Sequence, residues 1–193
     1  GMRLAVVIAC FNRKQLTLRI VDQIIRGTSE YQTSIYIVDG GSNDGTVASL
    51  KDKFPSVNVQ VQIGAHWNAA MRTGISRAVD KGFDFLLLLN DDLDLDLDVL
   101  RLFLSRAKSS KIYEVLVGKC IDPQTGCVTY GALKRKSRIS KLHFTLLENK
   151  DDVAITMNGN CVLIPEAIIS KVGNLDRRFS HSFGDIDYGL RIK

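Results

Sequence analysis

The sequence of 193 residues lacks the features that mark membrane-spanning and fibrous proteins. No apolar run approaches the roughly 20 residues that a helix needs to cross a bilayer. Proline occurs three times and glycine 15 times, without the regular spacing of a collagen. Hydrophobic residues make up 45% and charged residues 24%, which is ordinary for a globular chain and excludes a wholly disordered one. The length predicts one hydrophobic core.

Aromatic residues are also scarce, at 7% of the chain. No basic stripe with interleaved aromatics and no recognised nucleic-acid-binding motif occurs. We therefore expect no nucleic acid among the partners.

The cysteines do not form a metal-binding pattern. Cys10, Cys120, Cys127 and Cys161 include no CxxC pair, and no histidine lies at a spacing that suits zinc. We expect reduced, mostly buried thiols, with a disulfide between Cys120 and Cys127 as the less favoured alternative.

Motifs that bind nucleotides or calcium through a fixed pattern are absent too. The glycines at positions 40, 41 and 45 do not form the GxGxxG fingerprint, and no GxxxxGK[ST] loop occurs. A calcium loop starting at Asp92 would need glycine at its sixth position and glutamate at its twelfth, where the chain has Leu97 and Phe103. These absences exclude a P-loop, a dinucleotide fingerprint and an EF-hand.

Charged residues are unevenly distributed, although the net charge is only +5. Residues 1–100 hold 10 basic and 12 acidic side chains, whereas residues 101–193 hold 16 basic and 9 acidic side chains. The densest basic segment comprises Lys134, Arg135, Lys136, Arg138 and Lys141. Such a segment either forms a solvated loop or contacts an anionic membrane surface or an acidic substrate.

Short apolar runs alternate with amphipathic stretches in the first half of the chain, which is the βαβ rhythm of a parallel sheet. Strands are predicted at residues 4–10, 34–38, 57–63, 83–89, 115–120, 127–130, 153–157 and 161–164. Helices are predicted at residues 16–25, 47–53, 68–79 and 165–171, after Asp98 and near Asp185. The sequence therefore predicts an α/β fold with an open, mostly parallel mixed sheet and helices on both faces.

Polar residues follow several of these strands where each strand ends. The first strand runs into Phe11, and the second runs into Asp39 and a glycine-rich turn. The fourth runs into the adjacent Asp91 and Asp92. Open α/β sheets bind ligands beyond the carboxyl ends of their strands, and paired carboxylates suit Mg²⁺ or Mn²⁺. We expect a ligand site at this edge, where the metal takes its other ligands from water and a diphosphate.

Four segments, in the same order along the chain, resemble glycosyltransferase family 2. They are VVIACFNR (6–13), VDGGSNDGT (38–46), LNDD (89–92) and GDIDY (184–188). The resemblance implies the GT-A fold, which is a Rossmann-like α/β fold. It also implies an inverting transfer of sugar from a nucleotide-diphosphate sugar to an acceptor hydroxyl.

The resemblance assigns donor-side roles to individual residues. Asp39 and the backbone near Ala9 and Phe11 would hold the nucleoside base. Asp91 and Asp92 correspond to the family's DxD-like motif. Asp92 would bind Mn²⁺ or Mg²⁺, and Asp91 would lie nearer the ribose or the donor sugar.

The resemblance also assigns roles further along the chain. Asp185 matches the second residue of the family's Glu-Asp pair and would be the base that deprotonates the acceptor, while Gly184 stands in place of the glutamate. Arg72 would meet the diphosphate or the base, unless it is a surface helix arginine. Asn160 lies in a turn that the family brings to the donor sugar. Trp67 is a core residue or a ligand platform.

These roles imply a hexosyl- or deoxyhexosyltransferase of cell-surface polysaccharide or glycolipid synthesis, with a glycan or lipid-linked acceptor. Two alternatives stay open: a sugar-phosphate nucleotidyltransferase, and a GT-A-like module that binds a glycan or nucleotide without turnover.

We expect residues 1–193 to form one catalytic domain. Residues 1–100 would bind the nucleotide, and residues 101–193 would face the acceptor, with a short C-terminus. The first apolar stretch follows one arginine and lacks a small-residue cleavage site, which favours a cytoplasmic protein. The basic segment could then contact the inner face of the membrane.

Overall fold

A computed structural model describes residues 1–109, 114–135, 144–146, 154, 156–180 and 183–192. Its first half alternates strands and helices in the order β1 (Arg3–Cys10), α1 (Lys14–Gly27), β2 (Gln32–Asp39), α2 (Thr46–Lys53), β3 (Asn58–Val61), α3 (Trp67–Lys81), β4 (Phe85–Asn90) and α4 (Leu97–Ser109). This agrees with the predicted βαβ rhythm, with shifts of a few residues at the ends of elements.

The second half begins with short strands. They are β5 (Leu116–Val117), β6 (Cys120–Ile121), β7 (Val128–Tyr130), β8 (Ala132–Arg135), β9 (Phe144–Leu146) and β10 (Thr156–Met157). β11 (Cys161–Pro165), α5 (Glu166–Val172) and α6 (Gly184–Ile192) follow. The sequence analysis did not predict β8 and β9, because they are short and pair with segments distant in sequence.

The central sheet has six strands in the order β3-β2-β1-β4-β11-β5. β1 is parallel to β2 and β4, and β2 is parallel to β3, whereas β11 is antiparallel to β4 and β5. The predicted mixed, mostly parallel sheet is therefore confirmed. Two small antiparallel sheets, β10-β8-β9 and β6-β7, lie outside it.

Both faces of the central sheet are buried, which explains why its strands read as continuous apolar runs. Residues Leu4 to Ile8 of β1 are at most 3% exposed, and Leu86 to Leu89 of β4 at most 1%. Apolar residues of α1 and α4 cover one face. Residues of α3, α5 and α6 cover the other.

The structure places only part of the basic segment. Lys134 and Arg135 belong to β8, so this portion is a strand and not a solvated loop. Lys136, Arg138 and Lys141 lie outside the described residues. Within the described part of the chain, no helix has both the length and the apolar character needed to cross a bilayer.

All four cysteines are free thiols, as expected. Only Cys10 is fully buried, however, and Cys127 is exposed, so the expectation of mostly buried thiols is wrong for the exposed residue. Cys127 follows a turn outside the central sheet and has no core to enter. Burial raises the pKa of the Cys161 thiol to about 12, which keeps it protonated at neutral pH.

We expect Gly74→Ala to lower the free energy of unfolding by roughly 1–3 kcal/mol. A Cβ at Gly74 would lie 2.4 Å from Cγ1 of Val7, in the tightly packed contact between α3 and β1. This overlap outweighs the preference of helices for alanine over glycine, about 1 kcal/mol. Urea denaturation measures the change. Gly131→Ala is the control, because its Cβ would meet no atom nearer than 3.8 Å; equal stability of the two variants would contradict the prediction.

Candidate active site

The carboxyl ends of β1, β2 and β4 meet at one edge of the sheet. In the parallel register, Ala9 lies beside both Val38 and Asn90, and Cys10 lies beside Asp39. The three segments that leave these strands therefore surround one region. This is the edge at which the sequence analysis predicts a ligand site.

Asp39 closes the turn that follows β2. Its Oδ1 accepts hydrogen bonds from the backbone N–H groups of Gly41 (2.9 Å) and Ser42 (2.7 Å), and its Oδ2 accepts one from the Ser42 hydroxyl at 2.5 Å. The side chain is fully buried. Both carboxylate oxygens are thus bonded within the chain, and a nucleoside base would have to compete with Ser42 for Oδ2.

Phe11 provides the exposed surface next to this turn. Its side chain is 56% exposed, and its ring contacts the position of Gly40. The next residue, Asn12, has φ +50° and accepts a hydrogen bond from the backbone N–H of Asn43 on its Oδ1. The end of β1 is therefore tied to the turn after β2, and an aromatic face lies open beside it.

Asp91 and Asp92 differ in their surroundings although they are adjacent. The Asp91 side chain is 6% exposed and that of Asp92 is 47% exposed. One nitrogen of Arg13, Nη1, lies 2.9 Å from Asp91 Oδ1 and 3.2 Å from Asp92 Oδ2. Burial raises the pKa of Asp91, and the Arg13 charge opposes that shift. The sequence analysis did not identify Arg13, although it lies in the segment that follows the first strand.

The residues fit a divalent ion that takes most of its ligands from elsewhere. Among the described residues, no group of three or more histidine, cysteine or acidic side chains could hold a metal. Mg²⁺ needs only one or two carboxylates when a substrate supplies phosphates. Asp92 provides one half-exposed carboxylate at the end of β4, which suits this type of site.

Trp67 connects the end of β4 to the turn before β11. Its indole N–H donates to Asn90 Oδ1 at 2.9 Å. Its ring packs on Gly159, where a Cβ would lie 2.7 Å from Cη2 and 2.8 Å from Cζ2 of the indole. The backbone N–H of Asn90 in turn donates to the carbonyl of Asn160 at 3.0 Å. The predicted site residue Asn160 thus reaches this edge through its backbone.

Asp185 lies in the first turn of α6 and is held by two backbone groups. Its Oδ2 accepts a hydrogen bond from the N–H of Gly159, and its Oδ1 accepts one from the N–H of Ile186, both at 2.9 Å. The carboxylate is only partly buried. Through Gly159 and Trp67, it is therefore linked to the end of β4 and to Asp91 and Asp92 next along the chain.

Gly184 packs closely against α3. A Cβ at this position would lie 2.0 Å from Oδ1 of Asn68, a buried residue in the first turn of α3. Glutamate at position 184 would separate α6 from α3 unless Asn68 moved. The glycine allows the two helices to approach closely.

Arg72 is placed away from these contacts. It lines an open groove of about 560 Å³ together with residues that include Gln60, Asn174 and Arg177. Its side chain makes no hydrogen bond or ion pair with another described residue, while its backbone carbonyl accepts from Asn174. The structure thus does not join Arg72 to the carboxylates of the site.

A family model described as "Glycosyltransferase like family 2" matches residues 2–193. No curated protein matches the sequence.

Solved structures with a similar fold include a mannosyltransferase. The mannosyltransferase PcManGT from Pyrobaculum calidifontis, in complex with GDP-Man and Mn2+, has a TM-score of 0.63 at 12% identity, over 96% of this chain and 50% of that one. Residues 1–349 of TarS from S. aureus have a TM-score of 0.64 at 12% identity, and the match covers 99% of this chain and 55% of that one. A second TarS structure has a TM-score of 0.60 at 13% identity, and the match covers 99% of this chain and 33% of that one. The chain thus spans about half or less of these proteins, and the predicted GT-A fold is confirmed.

We expect Gly159→Ala to shift the fluorescence of Trp67 and to lower stability by roughly 1–3 kcal/mol. The added Cβ would lie 2.7 and 2.8 Å from two ring carbons of Trp67 and 3.2 Å from Cβ of Asp185. Trp67 is the single tryptophan of the chain, so its emission reports directly on this contact. Gly131→Ala, next to the same turn, should change neither the emission of Trp67 nor the stability. An unchanged emission spectrum in Gly159→Ala would contradict the packing of Trp67 on Gly159.

Proposed function

Since the chain belongs to glycosyltransferase-like family 2, we propose that it transfers a sugar from a nucleotide-diphosphate sugar to an acceptor hydroxyl, with inversion at the anomeric carbon. The observation that carries this proposal is the link between the end of β4 and Asp185 through Trp67 and Gly159. It brings a candidate metal ligand and a candidate base to one edge of the sheet. A donor and an acceptor could therefore be bound side by side.

We assign the donor nucleotide to the region beyond β1 and β2. The exposed ring of Phe11 offers a face for stacking, and the backbone of Ala9 and the Asp39 turn lie beside it. Arg72 would reach the diphosphate or the base only by leaving its groove. The GDP-Man bound by PcManGT supports a nucleotide sugar as donor.

Asp92 would hold Mn²⁺ or Mg²⁺, with Asp91 and Asn160 nearer the sugar. A bound divalent ion would offset the negative charge of the departing diphosphate. The Mn2+ in the PcManGT structure supports this cofactor. Arg13 neutralises part of the charge of the two aspartates in the free protein.

Asp185 would act as the general base. Its two backbone hydrogen bonds fix the direction of the carboxylate, and each oxygen retains a further lone pair that can accept the proton of an acceptor hydroxyl. Such a base contributes about 10²- to 10⁴-fold to the rate. A second catalytic carboxylate, acting as a nucleophile, is not needed, because a single displacement forms no covalent enzyme intermediate.

A non-catalytic module that binds a nucleotide or a glycan is the second candidate. It is favoured by the glycine at position 184 and by the fact that both Asp185 oxygens already accept hydrogen bonds. The two candidates differ in turnover and not in nucleotide binding.

We extend the proposal to a place of action at the cytoplasmic face of a membrane, in the synthesis of a cell-surface polysaccharide or glycolipid from hexose or deoxyhexose donors. The segment Lys134, Arg135, Lys136, Arg138 and Lys141 would contact anionic lipid or a lipid-linked acceptor. Its charge supports this, since it supplies five cations within eight residues.

We expect Asp185→Asn to reduce sugar transfer by about 10²- to 10⁴-fold while nucleotide binding changes little. Asparagine keeps the size of the side chain but cannot take the proton. The assay follows nucleoside diphosphate release from a panel of GDP-, UDP- and dTDP-sugars, with binding measured by calorimetry. Asp187→Asn is the matched control, because Asp187 pairs with Arg191 on the same helix. Full turnover by Asp185→Asn would remove Asp185 as the base.

We expect Asp92→Asn to weaken the Mn²⁺-dependent binding of GDP or UDP by about tenfold or more, because the variant loses the proposed carboxylate ligand. Calorimetry with and without Mn²⁺ measures the effect. Asp98→Asn makes the same change of charge on an exposed helix residue paired with Arg101 and should bind like the parent chain. If both variants bind equally well, Asp92 does not hold the ion.

A further inference from the structure

Arg13 contacts both Asp91 and Asp92, so its permanent positive charge lies where the proposed metal would bind. Arg13 lies at the start of α1, between the end of β1 and the first residue of the helix. Its Nη1 is within 2.9 Å of Asp91 and 3.2 Å of Asp92. One guanidinium nitrogen therefore bridges the two carboxylates.

The ion pairs of Arg13 with Asp91 and with Asp92 contribute differently to stability. Asp91 is almost fully buried, and its Oδ2 accepts a long hydrogen bond from the Thr17 hydroxyl at 3.4 Å, which carries no charge. A buried carboxylate without a compensating charge is strongly unfavourable, so Asp91 depends on the positive charge of Arg13. Asp92 is half-exposed and is solvated by water without help, so its pair with Arg13 resembles a weak surface ion pair. The contact with Asp92 is thus the one that can be given up.

The contact with Arg13 opposes the binding of a divalent ion at Oδ2 of Asp92. Mg²⁺ ligands lie about 2.0–2.1 Å from the ion, so an ion on Asp92 Oδ2 would come close to the guanidinium at 3.2 Å. The two cations repel each other and also compete for the same oxygen lone pairs.

We propose that Arg13 is a built-in competitor for the divalent cation: it stays bound to Asp91 and yields Asp92 to the metal. This inference rests on the proposed function of Asp92 and adds a control on its occupancy. With Arg13 in place, the pair of aspartates carries one uncompensated negative charge, which binds a metal ion weakly. A nucleoside diphosphate brings further negative charge, so the ion binds mainly together with the nucleotide.

The test measures the binding of Mn²⁺ alone, without nucleotide, from the free-ion signal in electron paramagnetic resonance. Arg13→Gln should bind Mn²⁺ about tenfold more tightly than the parent chain, because a nearby positive charge is lost. Arg13→Lys keeps the charge and should stay within about twofold of the parent. Arg101→Gln removes an equal charge from an exposed pair with Asp98 and should have no effect.

Arg13→Gln removes the charged partner of the buried Asp91 and leaves only the long hydrogen bond from Thr17, which lowers the stability of the fold. The double variant Arg13→Gln/Asp91→Asn avoids this, and it should bind Mn²⁺ about tenfold more tightly than Asp91→Asn alone. Adding Asp92→Asn to either Arg13→Gln variant should abolish the gain.

Equal or weaker Mn²⁺ binding after removal of Arg13 would overturn the inference. If nucleotide and Mn²⁺ still bind together in that case, the proposed function survives and only the role of Arg13 fails. If instead removal of Arg13 tightens Mn²⁺ binding but the parent chain transfers no sugar, Arg13 does compete with the metal and the proposed enzymatic function fails.

Discussion

The burial of β1 on both faces, between the parallel strands β2 and β4, is the constraint on which the rest of the structure depends. Because the three strands run in the same direction, their carboxyl ends fall at one edge. The apolar side chains that bury the strands cannot continue past this edge, where the chain leaves the core. The polar residues that follow each strand are therefore brought to one edge by the packing of the strands, and ion pairs and hydrogen bonds then join them.

The cost of buried charge then shapes that edge. Asp39 is fully buried and is stabilised mainly by the N–H groups of its own turn, with one long hydrogen bond from the Cys10 thiol. Asp91 is buried as well, but its partner Arg13 is 78 residues away. The first arrangement is rigid because a tight turn supplies it, whereas the second depends on a long side chain that is half-exposed. The proposed donor site thus combines a fixed part with a part that is able to rearrange.

Trp67 and Gly159 join this edge to the second half of the chain. The indole bridges Asn90 and the turn before β11, and the turn holds Asp185 through one backbone N–H. Glycine at position 184 allows α6 to pack closely against Asn68 of α3. The helix that carries the proposed base is thus packed against the end of β4, just before the proposed metal ligand, through Trp67 and Gly159.

Apolar periodicity was sufficient to predict β1, β2, β4 and their helices, since burial on both faces of a sheet needs long apolar runs. The family-like segments also pointed to Asp39, Asp92 and Asp185. The short strands β8 and β9 were missed, because three or four residues carry no period and their pairing depends on distant partners. The bridge from Arg13 to two aspartates and the contact of Trp67 with Gly159 were decided only by the tertiary structure. Such contacts follow from sheet register and helix packing, which no local pattern contains.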